Sequence, residues 1–321
     1  MTTRSSLSRR HFIAKGFSKA ALLPLISHWT ESKATPQKPS FYPLWPGLPP
    51  GGGGPTGPLK ISRHGAVSNV STPFLQIHHP MSPNGTVVLI AAGGGYQRIN
   101  LQHEAIPAAR WLTSRGITAA ILIYRLPREE WLTGPAAPFE DAQQAIRLIR
   151  SRTTDLNFTP SHIGALGFSA GGHLLGMQAL KANPDWLRSQ QSRSSPVHYA
   201  QLDMAMLLYP IVTLEPPFDH TRTRISLIGQ HPTHAQREKW SFPNAFTSQP
   251  LPLFLAQAED DPIANPQPSR LFSQHYTAQH GMIETHFFPT GGHGFGLGRP
   301  HTLTTTWPSL AEAWMKKKHF I

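Results

Sequence analysis

The chain has 321 residues, 39% of them hydrophobic, which is enough for one large domain or two small ones and excludes a disordered polymer. It contains no cysteine, which excludes disulfides, thiolate metal sites and a cysteine nucleophile. The formal charge is +12, but outside the N-terminus the basic residues are scattered singly, apart from Lys316, Lys317 and Lys318, and no reading motif accompanies them, so nucleic-acid binding is not expected.

Residues 1–34 carry six basic residues (Arg4, Arg9, Arg10, Lys15, Lys19 and Lys33) against the single acid Glu31, which leaves +7 for the rest. The run Ser8-Arg9-Arg10-His11-Phe12-Ile13-Ala14-Lys15 resembles a twin-arginine export signal. A weakly apolar stretch, Gly16 to Trp29, is too short and polar to span a bilayer. Ser32-Lys33-Ala34 then offers small residues of the kind a signal peptidase reads. The expectation is a signal peptide over 1–34, an exported protein in the periplasm or outside the cell, and no stable membrane insertion. A basic tail is the plainer alternative.

A single catalytic domain is expected over 35–321. Residues 35–60, rich in Pro and Gly, read as a loop segment wrapping it. Apolar runs then alternate with helical patterns. Thr86–Ala92, Ile117–Tyr124, His162–Phe168, Asp203–Tyr209, Leu251–Gln257 and Ile283–Phe288 read as strands. Leu101–Arg115, Phe139–Arg152, Ala170–Lys181, Pro266–His280 and Ser309–Lys318 read as helices. Lys316, Lys317 and Lys318 oppose the dipole of the last one. Continuous apolar strands separated by helices imply a mostly parallel sheet covered on both faces, hence a doubly wound α/β domain. Residues 211–248 break the rhythm with prolines and polar residues and read as an irregular excursion over the substrate side.

Gly167-Phe168-Ser169-Ala170-Gly171 fits G-x-S-x-G, between a strand and a helix as that motif requires. A serine hydroxyl needs a base held by a carboxylate, and in such folds the order is Ser, acid, His. Past a late strand stand Glu259, Asp260 and Asp261, and past the last strand Gly291-Gly292-His293-Gly294-Phe295. The candidate catalytic residues are Ser169, Asp261 and His293, with Asp260 as the alternative acid. Gly94 and Gly95, after the first buried strand, and Ala170, after the serine, are the candidate backbone donors to an oxyanion. A phosphate-binding turn is the rival reading of Gly93-Gly94-Gly95, but no Gly-Lys-Ser/Thr follows it. Tyr96, Glu104 and His173 are candidate substrate contacts or braces, and Trp131 and Trp240 either a sugar platform or packing. No His/Asp/Glu cluster has metal spacing and no cofactor motif is present, so neither is expected.

The chain resembles the esterase/lipase branch of the α/β-hydrolases that includes acetyl-xylan and related carbohydrate-ester esterases. The residues that carry the resemblance are Leu44–Gly47, Gly93–Tyr96, Tyr124–Pro127, Asp141–Gln143, Gly167–His173, Asp260–Pro266 and Gly291–Gly296. One departure is Ala92, where many relatives have His or Pro. The resemblance implies a serine carboxylic-ester hydrolase acting on short acyl, above all acetyl, esters of a small-molecule or oligosaccharide substrate. The rivals are a prolyl-oligopeptidase-like peptidase and a non-catalytic binding protein on the same scaffold.

Overall fold

A computed structural model describes residues 38–151, 160–180, 201–243 and 250–321, so the expected signal lies outside the described residues. Five apolar runs form central strands buried along their whole length: β5 (Thr86–Ala91), β6 (Thr118–Ile123), β7 (His162–Phe168, save its first residue), β8 (Met204–Leu208) and β9 (Leu253–Ala258). The sixth, β10 (Ile283–Phe288), is half-buried at one edge of the sheet. All six run parallel. Helices α1 (Ile106–Thr113), α2 (Ala137–Arg150), α3 (Ala170–Leu180), α6 (Pro266–Ala278) and α7 (Trp307–Lys317) connect or cover them. Among the described residues no helix is long and apolar enough to cross a membrane.

Two strands of the main sheet were not expected. β1 (Ser40–Pro43) and β4 (Phe74–His78) extend the sheet antiparallel beyond β6. β1 lies inside the segment read as a wrapping loop. It is an edge strand ending in Pro43, and an edge tolerates a residue without an N–H. β4 alternates buried and half-buried side chains over five residues, a signal too brief to stand out. The ribbon β2 (Lys60–Ile61) and β3 (Val67–Ser68) pairs separately.

The helix expected from Leu101 is split. Leu101–Ala105 forms a π-helical turn before α1 begins. Pro107 has no N–H to bond to the carbonyl of residue 103, so the chain widens there. The excursion at 211–248 is less irregular than expected, because it contains α4 (Arg222–Ile228) and α5 (His234–Trp240). Thr221 and Thr233 cap them, and Gln236 completes a capping box with Thr233.

The strand order is β1-β4-β6-β5-β7-β8-β9-β10. The chain moves one way from β5 to β6 and the other way from β7 onward, so the connections reverse between β5 and β7. That is the switch point where ligands bind in open α/β sheets. Ala91 pairs with Gly167, so the loops after β5 and β7 leave the sheet side by side. Phe288 pairs with Ala258, which does the same for the loops after β9 and β10. Both pairs of loops emerge at the carboxyl ends of the strands.

Behind the site, Arg125 is wholly buried and holds the N-terminal segment in place. Its Nε–H donates to both oxygens of Asp141 at 3.0 Å, and its Nη2–H groups donate to Glu140 at 2.9 Å and the Ala137 carbonyl at 3.2 Å. Nη1–H donates to the Pro50 carbonyl at 3.0 Å, and the Trp45 indole N–H donates to Asp141 at 2.9 Å. The guanidinium also lies 5.0 Å from the Trp131 ring. Burial pushes the Glu140 and Asp141 carboxyls above their usual range, and the Arg125 charge is the main opposing influence.

Candidate active site

The turn after β7 is too tight for side chains on its glycines. A Cβ on Gly167 would lie 2.5 Å from the Gly171 carbonyl oxygen, and one on Gly171 would lie 2.1 Å from that of Ala91. Ser169 itself has φ +51°, a conformation non-glycine residues rarely adopt. Its N–H donates to the Leu208 carbonyl at 2.9 Å, and its own carbonyl accepts the His173 N–H at 2.9 Å, so neighbouring strand and helix hold the strained residue.

Ser169 Oγ lies 2.8 Å from His293 Nε2, and His293 Nδ1 lies 2.8 Å from Asp261 Oδ2. A carboxylate only accepts, so Nδ1 carries the ring proton and Nε2 is left to accept from the serine hydroxyl. The other Asp261 oxygen accepts the N–H groups of Ile263 and Ala264, both at 2.8 Å, which fixes the carboxylate. Asp260 faces elsewhere, with Oδ1 accepting the Gly292 N–H at 2.7 Å. Of the two acids left open by the sequence, Asp261 is the one that meets His293.

Gly94 (φ +128°) and Gly95 (φ +63°) form the loop after β5. Among the described residues their N–H groups donate to no protein acceptor, and Ala170, as the first residue of α3, has no intrahelical acceptor. Ala92, buried before this loop, accepts the Tyr124 hydroxyl at 2.8 Å.

Tyr96, Glu104 and His173 are at most 2% exposed, so they brace the site instead of contacting a bulky substrate. His173 Nε2 lies 2.6 Å from the Trp240 carbonyl, which can only accept, so Nε2 is protonated. Nδ1 then accepts the Tyr96 hydroxyl at 2.9 Å. This ties the loop after β5 to α3 and α5. Burial pushes the Glu104 carboxyl above its usual range, opposed by the Gly93 N–H, the Tyr209 hydroxyl, and the His293 and His103 charges. Trp131 and Trp240, 5% and 4% exposed, are packing residues and not a sugar platform, because their faces are covered.

Tyr209 was missed by the sequence reading, which took it as the end of a strand. It is fully buried, its hydroxyl donates to Glu104 at 3.0 Å, and its ring stands edge-on to His293 at 5.0 Å. A phenol at the carboxyl end of an otherwise apolar buried strand is the signal that marks it. A cavity of about 1090 Å³ between α5, Phe242 and α6 is lined by none of Ser169, Asp261 and His293.

Residues 75–276 match the BD-FAE family. The acetylxylan esterase of Xylanibacter ruminicola is 28% identical over 225 residues, covering 68% of this chain and 43% of that protein. Endo-1,4-beta-xylanase B of Butyrivibrio fibrisolvens is 27% identical over 207 residues, covering 64% of this chain and 32% of that protein. The chain therefore spans less than half the length of these curated relatives. The acetyl ester-xyloside bifunctional hydrolase of Caldicellulosiruptor lactoaceticus has a similar structure, with a TM-score of 0.71 and 30% identity, covering 90% of this chain and 100% of that one. With the family match running from β4 into α6 and a solved relative superposing along its full length, the chain belongs to the BD-FAE family and has the α/β-hydrolase fold.

Proposed function

We propose that the protein is a serine carboxylic-ester hydrolase. The observation that carries this reading is the continuous hydrogen-bonded line from Ser169 through His293 to Asp261, supported by the N–H groups of Gly94, Gly95 and Ala170, which find no acceptor among the described residues. Ser169 Oγ attacks the ester carbonyl while its proton passes to His293 Nε2. The carbonyl oxygen becomes an oxyanion, held by the N–H groups of Gly94, Gly95 and Ala170, each such donor lowering the barrier by about 3 kcal/mol. Asp261 orients the ring and stabilises the imidazolium. The proton then goes to the departing alkoxide, the alcohol leaves, and an acyl-Ser169 ester remains. Water, deprotonated by His293, attacks that ester, and the carboxylic acid leaves with Ser169 restored.

The substrate proposed is a short acyl, chiefly acetyl, ester on a plant-polysaccharide fragment. Its support is the likeness to an acetylxylan esterase and to an acetyl ester-xyloside hydrolase. Export through residues 1–34 to an extracytoplasmic compartment completes the proposal and fits a polymeric substrate found outside the cell.

The test is Ser169→Ala, assayed with an acyl nitrophenyl ester and with acetylated xylo-oligosaccharides, beside fluorophosphonate labelling of the unmodified chain. The expected loss is on the order of 10⁶ in kcat, with labelling at Ser169. Activity within about tenfold of the parent would remove the nucleophile, and acetylated sugars left intact by an enzyme active on simple esters would remove the substrate.

A further inference from the structure

Under the serine turn a buried hydrogen-bonded chain joins the loop after β5 to the loop after β10. The Gly93 N–H donates to Glu104 Oε2 at 2.6 Å, the Tyr209 hydroxyl donates to Oε1 at 3.0 Å, and the Gly296 N–H donates to the Tyr209 oxygen at 3.1 Å. A Cβ on Gly93 would sit 2.8 Å from Ser169 Cβ and 3.2 Å from Glu104 Oε2, so the carboxylate lies beside the nucleophile's side chain. Both Glu104 oxygens face donors. That arrangement suits the ionised acid, which accepts from both donors without either having to turn away. Asp261 orients His293 by direct contact, whereas Glu104 reaches it through the Tyr209 ring and across the low-dielectric space between them.

We propose that Glu104 is a positioning residue that acts as a second anion of the site. Its carboxylate fixes the oxyanion loop through Gly93 and favours the positive charge that His293 takes on when Ser169 attacks. The inference rests on the proposed roles of Ser169 and His293. Glu104 itself gains and loses no proton in the cycle. Glu104 is faced by His293, Tyr209 and Tyr124, with His103 beside it on its own turn. His293 is faced by Asp261, Glu104 and Tyr209. Around it, Asp260 holds the Gly292 N–H, the Arg299 guanidinium flanks Gly292, and His103 bonds the Gly294 carbonyl.

Glu104→Gln removes the charge and keeps the shape. Its amide oxygen accepts from Gly93, and its NH₂ donates to the Tyr209 oxygen. Tyr209→Phe leaves the charge but removes one of the hydrogen bonds that favour it. The measurement is kcat/KM against pH for a nitrophenyl acetate, whose acidic limb reports the base of the free enzyme. Glu104→Gln is expected to lower kcat on the order of tenfold with KM little changed, and to move the acidic limb down by about one pH unit, as for a partly screened charge. Tyr209→Phe is expected to move it the same way by a smaller amount, because Glu104 then protonates at higher pH and part of its charge is lost across the limb. The double variant should follow Glu104→Gln. A residue that only braced the loop would lower activity and move neither limb, and an unmoved limb in both variants overturns the inference. If Glu104→Gln does not fold, an unmoved limb in Tyr209→Phe overturns it alone. Ser169→Ala, run with the same ester, separates the two failures. An inactive Ser169→Ala with unmoved limbs sinks only this inference, while an active one sinks the nucleophile and this inference with it.

Discussion

Replacing Arg125 with methionine puts a flexible apolar chain of similar reach where a guanidinium lies fully buried between two carboxylates. Asp141 is wholly buried and Glu140 is 2% exposed, so neither can turn to water when its partner goes. Removing one partner of such a buried pair costs about 3–5 kcal/mol, because the remaining charge is stranded. The Pro50 carbonyl also loses its donor, which loosens the segment that carries β1. Pro36–Ile321 forms one compact unit. At about 2.1 cal/mol/K of unfolding entropy per residue, its roughly 290 residues give a slope near 0.6 kcal/mol per degree, so Tm should fall by about 5–8 °C at pH 7. The pH dependence has a definite sign. Burial already pushes both carboxyls up, and without Arg125 nothing of comparable size opposes it. The folded variant therefore binds protons more readily than its unfolded chain, and it regains stability as pH falls. The Tm gap between variant and parent should narrow between pH 7 and pH 5. Calorimetry or a dye-based melt across that range suffices. A loss under about 2 °C at pH 7, or a gap that widens on acidification, would refute the argument.

Asp261→Asn is expected to cost on the order of 10⁴ in kcat, as for an orienting acid. Asp260→Asn should cost far less, since an amide oxygen still accepts the Gly292 N–H, and the reverse order in ester assays would exchange the two roles. Changing Arg9 and Arg10 to lysine should hold active, folded enzyme in the cytoplasm, as expected of a paired-arginine signal. Fractionation with an esterase assay checks it, and undiminished export would dismiss the signal.

The alternation of apolar runs made the parallel core legible, because a strand buried on both faces writes itself as an unbroken apolar run. β1 and β4 did not show because β1 is a four-residue edge strand and β4 a five-residue strand whose side chains alternate between buried and half-buried. The serine turn and the histidine loop were legible since glycines at fixed offsets are a steric requirement there. Asp260 and Asp261 were a different matter. Both precede the same proline, and only the backbone of the turn decides which one meets His293 and which one holds Gly292. Glu104, Tyr96 and His173 read equally as substrate contacts or as braces, because sequence alone does not show which polar side chains near a glycine loop are buried. Their burial comes from packing against Tyr209, Phe139 and Phe242, which lie 43 to 105 residues away in sequence. Trp45, Arg125 and Asp141 were noticed as motifs with no stated role, and all three prove to be parts of one buried ionic cluster.

The hydrogen bond between His173 and the Trp240 carbonyl bears on how freely α5 can move. α5 hangs from the same first turn of α3 that carries the nucleophile, and the Trp240 ring packs 4.9 Å from Phe139 in the core. α5 cannot swing away without breaking this bond or pulling on the helix that begins just after the serine.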